Sequence, residues 1–95
     1  MATTVGLLHL EFHLPAAASL KDKRHSLKGF RDRLAANHNV SVAEVASQDN
    51  PRRGVLAVAM VGSDKRYVEG ALQRIVTAAA THRDMILVES QIDWV

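Results

Sequence analysis

Ninety-five residues and 10.4 kDa amount to one small domain spanning residues 1–95. A content of 47% hydrophobic and 23% charged residues is globular, and the lack of cysteine excludes disulfide-stapled scaffolds and cysteine zinc sites. The net charge is only +2, yet residues 21–33 hold six basic side chains against Asp22 and Asp32, on an otherwise slightly acidic chain.

The first residues lack the basic start of a secretory leader, and His9 and Glu11 interrupt the apolar run. No apolar stretch nears the roughly 18 residues needed to cross a bilayer. The expectation is a soluble cytoplasmic protein.

Val5 to Leu14 predicts a strand closed by Pro15, with Leu8, Leu10, Phe12 and Leu14 on its core face. After Ala16-Ala17-Ala18, Ser19 stands as an N-cap, with Asp22 placed for a variant capping box. Leu20, Leu27, Phe30 and Leu34 then recur at helical period, so residues 20–37 read as an amphipathic helix. Val40 to Ala46 is a short strand, and Glu44 within it points to a sheet edge.

The polar stretch 47–54 predicts a loop, and the almost wholly apolar Val55–Val61 a central strand. Ser63 and Asp64 cap a second helix, whose stripe is Val68, Ala71, Leu72, Ile75 and Ala79. Met85 to Val95 predicts the last strand, with Ile86, Val88, Ile92 and Trp94 sharing one face.

This order is βαββαβ. Two right-handed split crossovers place the first and third strands centrally, which predicts an α+β, ferredoxin-like sandwich. Its four-stranded antiparallel sheet would carry both helices on one face.

Ser19-Leu20-Lys21-Asp22-Lys23-Arg24 resembles the S-L-K-[DE]-K-R opening of the first helix in the bacterial YlxP-like proteins. Asn39–Val45, followed by Gln48-Asp49, is similar to that family's second strand and the loop after it. The resemblance covers essentially the whole chain. Pro51 stands where members often carry an aromatic residue, while Arg53 matches. The resemblance implies no catalytic residues. It does imply company with translation and ribosome-maturation factors, whose genes lie near those of the family.

His9, Glu11 and His13 invite a metal reading, but strand geometry sets the two histidines about 13 Å apart, beyond the reach of one ion. The third strand has no aromatic for base stacking, and residues 15–18 offer neither glycine nor arginine for a phosphate loop. Hydrolase and nucleotide-binding motifs are absent, so neither enzyme activity nor a cofactor is expected.

The basic helix is the strongest candidate. Lys21, Arg24, Lys28 and Arg31 fall within roughly 80° of one another beside the apolar stripe. Lys23 points nearer that stripe, and Arg52 and Arg53 add charge on the loop. These seven residues form a candidate nucleic-acid-binding set. Phe12, Phe30 and Tyr67 read as structural, leaving Trp94 as the aromatic available for exposure. The expected function is a non-enzymatic binding module for RNA or the ribosome. The alternative is a ligand-sensing or protein-interaction domain that dimerises. In either case the uncovered sheet face or an edge strand predicts a homodimer.

Overall fold

The computed structural model describes residues 1–95 and has the predicted βαββαβ order. Strands β1 (Thr4–His13), β2 (Val40–Ala46), β3 (Arg53–Gly62) and β4 (Ile86–Trp94) form one antiparallel sheet. Their order is β2-β3-β1-β4, so the two strands whose inward faces are buried are central. Helices α1 (Leu20–Asn37) and α2 (Lys65–Ala80) pack on one side. The chain has a ferredoxin-like α+β fold.

The core forms where the two periodicities meet. Leu8, Leu10 and Phe12 of β1 and Leu56, Val58 and Met60 of β3 face the helices and are buried. From α1 they meet Leu27, Phe30 and Leu34, and from α2 the whole predicted stripe. Phe12 and Phe30 pack edge to face with ring centroids 5.7 Å apart, an arrangement the ring quadrupoles favour. Leu20, expected in the α1 stripe, is only half-buried because it opens the first turn.

Ser19 caps α1 as predicted. Its hydroxyl accepts from the Asp22 N–H, while the Asp22 carboxylate accepts from the Ala18 N–H rather than from Ser19 itself. On α2 the cap is Asp64, which accepts from the Arg66 N–H.

The facing of two groups of side chains differs from expectation. The β1–β4 register shifts between Glu11 and Phe12, leaving Val88 as an extra residue on β4. That bulge reverses the alternation, so Leu87, Ile92 and Trp94 pack against the core while Ile86 and Val88 are exposed. Among the aromatics, Tyr67 is the solvent-facing one, at 68% exposure, and Trp94 is half-buried beneath the Lys65 ammonium.

Candidate nucleic-acid interface

The predicted basic residues divide into three groups. Arg24, Lys28 and Arg31 project from successive turns of α1 and line one shallow cleft of about 190 Å³ with Leu27, Glu44 and Leu56. Lys21 lies one turn nearer the helix start and is exposed. Lys28 is held by Asp32 at 2.7 Å, a solvent-exposed pair one turn apart. Lys21, Arg24 and Arg31 make no ion pair.

Lys23 does not belong to this ridge. Its side chain is fully buried, so no phosphate can reach it. The Nζ donates to the carbonyls of Ser47 (2.7 Å), Gln48 (3.3 Å) and Arg53 (3.2 Å). The Glu44 Oε2 sits 2.9 Å away and supplies the counter-charge. Three N–H groups thus meet three carbonyls, which is what an ammonium needs if it is to leave water. The expectation of a nucleic-acid contact at Lys23 is overturned by this cage.

The cage explains the β2–β3 loop. Ser47 adopts a left-handed backbone with φ 58°, unusual for a side chain other than glycine, asparagine or aspartate. Its carbonyl is the nearest of the three carbonyl oxygens to the Lys23 Nζ, and its hydroxyl accepts from the Arg53 guanidinium. The Asn50 side chain accepts from the Arg52 N–H and closes the turn.

Arg53 stands on the helix-free side of the sheet. Its Nε donates to the Glu11 carboxylate at 2.8 Å, and this bond holds the Glu11 carboxyl below its ordinary range. The same pairing raises the guanidinium. Arg52 is exposed in the loop, where its carbonyl accepts from the Leu14 N–H and lies 3.2 Å from the His13 Nδ1. The structure therefore brings Arg24, Lys28 and Arg31 together, with Lys21 in line, and sets Arg53 apart from them.

The sequence places Glu44 at an edge, and β2 is an edge strand. Its side chain nevertheless turns inward to Lys23 and is only 16% exposed. Sequence signals for the pair exist. Lys23 falls on the same helical face as Leu27, Phe30 and Leu34, and Glu44 shares the inward parity of Val40 and Val42.

A family model described as "Protein of unknown function (DUF503)" matches residues 5–92. The chain belongs to the DUF503 family. It is also similar to the "Uncharacterized protein YlxP" of Bacillus subtilis (strain 168), at 29% identity over 90 residues. That alignment covers 95% of this chain and 98% of the relative, in agreement with the YlxP-like motifs at residues 19–24 and 39–49. Among solved structures, the de novo designed protein Foldit4 superposes with a TM-score of 0.56 at 14% identity. It covers 98% of this chain and 96% of the design, a likeness of fold alone. For a DUF503 protein, the ridge on α1 is thus a feature to be judged on its own geometry. No helix is long and apolar enough to cross a membrane.

Proposed function

We propose that this protein is a non-enzymatic, cytoplasmic binding module that holds the phosphate backbone of RNA, free or within the ribosome, through Lys21, Arg24, Lys28 and Arg31. The observation that carries this reading is the alignment of four cations on one helical face, three of them without an acidic partner. An unpaired, exposed cation keeps its full attraction for phosphate and releases counterions when it binds. The ridge offers charge with no aromatic side chain to stack a base, so it suits backbone contact more than sequence recognition.

Changing Arg24, Lys28 and Arg31 together to Gln tests the proposal. All three are exposed, so each substitution should alter stability by less than about 0.5 kcal/mol. The slope of log affinity for RNA against log salt should flatten by about 2–3 units, at roughly 0.7–0.9 for each phosphate no longer neutralised. Base preference should be unchanged. Wild-type protein that shows no salt-sensitive association with RNA or ribosomes would overturn the reading and leave the ridge as a solvated helix face.

A further inference from the structure

Both helices cover the same side of the sheet, and nothing in the fold covers the other. On that side β3 presents Val55, Ala57, Ala59 and Val61, with Ala43 of β2 and Leu7 of β1 beside them in register. Val61 is 55% exposed. Charge on this side is ordered. Glu11 is already held by Arg53, and the other two acids, Glu89 and Asp93, both belong to β4.

We propose that this face is the interface between two copies of the chain, packed sheet against sheet about a twofold axis along the strands. Size is the first support. Four strands about 4.8 Å apart with roughly 3.3 Å per residue span about 19 by 30 Å, so a pair buries roughly 1,100 Å², above the ~1,000 Å² a specific interface needs. Charge is the second. A twofold through the middle of this sheet lays β4 of each copy over β2 of the other, and β2 presents Ser41, Ala43 and Val45 to this side. The two acid-bearing edges thereby meet uncharged ones rather than each other. The same operation lays β1 over β3 and brings each Arg53 toward the Glu11 of the second copy. Small side chains in the middle are the third, because Ala43, Ala57 and Ala59 let two sheets approach to about 10 Å. Glu89 and Asp93 also make the face repellent to a nucleic-acid backbone, which separates this surface from the α1 ridge.

Light scattering on the full chain at tens of micromolar should return the mass of a dimer. Ala57→Arg should weaken association on the order of a hundredfold, by placing like charges near the axis, and leave the far-ultraviolet circular dichroism unchanged. If that variant does not fold, Ala59→Ser and hydrogen exchange on wild type decide the matter. Ala59→Ser should still fold and should weaken the dimer measurably. The outward-facing amides of edge strands β2 and β4 should exchange equally fast in dilute and concentrated protein, because sheet stacking leaves them unpaired. The helix variant lacking Arg24, Lys28 and Arg31 should dimerise as wild type does. A monomer at these concentrations, a dimer insensitive to the face substitutions, or protection confined to one edge strand would each overturn the proposal.

Discussion

Replacing Lys23 by alanine would strip three carbonyls of their donor and leave the Glu44 carboxylate unpaired beside the core. Breaking one partner of such a buried pair costs about 3–5 kcal/mol. Lys23→Ala should therefore lower the urea midpoint sharply, while Glu44→Gln should cost less, because the three carbonyl bonds survive it. At this scale the sequence misleads for a physical reason. A lysine between Asp22 and Arg24 looks like one member of a charged run, and only its phase relative to Leu27 and Phe30 marks it as inward. Titration adds a second residue-level expectation. Burial pushes the His82 imidazole below its ordinary 6.5, with Arg33 adding to the effect and Asp84 opposing it. The unfolded chain then binds the proton more readily, so this contribution to stability is complete above about pH 6.5 and is lost as the pH falls toward the folded value. Denaturant midpoints measured from pH 7.5 to 5 should show this loss, and His82→Gln should remove its component of the slope.

At the scale of elements, packing follows the 3.6-residue and two-residue periods wherever the backbone stays regular. The α2 stripe and the inward faces of β1 and β3 are legible for that reason. The facing of β4 is not, since a single extra residue at the bulge inverts every side chain beyond it and leaves no mark in composition. The α1 capping residue and the burial of Phe12 and Phe30 are legible as well. Phe30 touches both Phe12 and the His82 ring, each 5.7 Å from its centroid. Phe30→Ala should therefore cost about 3–5 kcal/mol in a denaturant titration. Gly6 tests the seam between β1 and α2. A β-carbon there would come within 2.7 Å of the Leu72 Cδ1 and 3.0 Å of the Val68 Cγ1. Gly6→Ala should destabilise by about 1–3 kcal/mol, because side chains in a filled core have little room to retreat.

For the molecule as a whole, placing both helices on one side separates two surfaces of opposite character. The α1 side is cationic, and the strand side has an apolar middle on β3, its Glu11 neutralised by Arg53 and its two remaining acids on β4. The candidate ridge is legible in part, because helical spacing groups Lys21, Arg24, Lys28 and Arg31 without any knowledge of tertiary contacts. Arg53 escapes placement, since its side of the sheet depends on where the loop ends and β3 begins. The Lys23 cage also gives the whole molecule a chemical clock. An amine-acylating reagent meets Lys21, Lys28 and Lys65 at the surface, whereas Lys23 offers it no exposed atom. Mass spectrometry on protein treated for increasing times should show three lysines modified quickly and the fourth only as fast as the loop lifts or the chain unfolds. The ratio of those rates would read the free energy of opening from a single nitrogen atom, under native conditions and without denaturant.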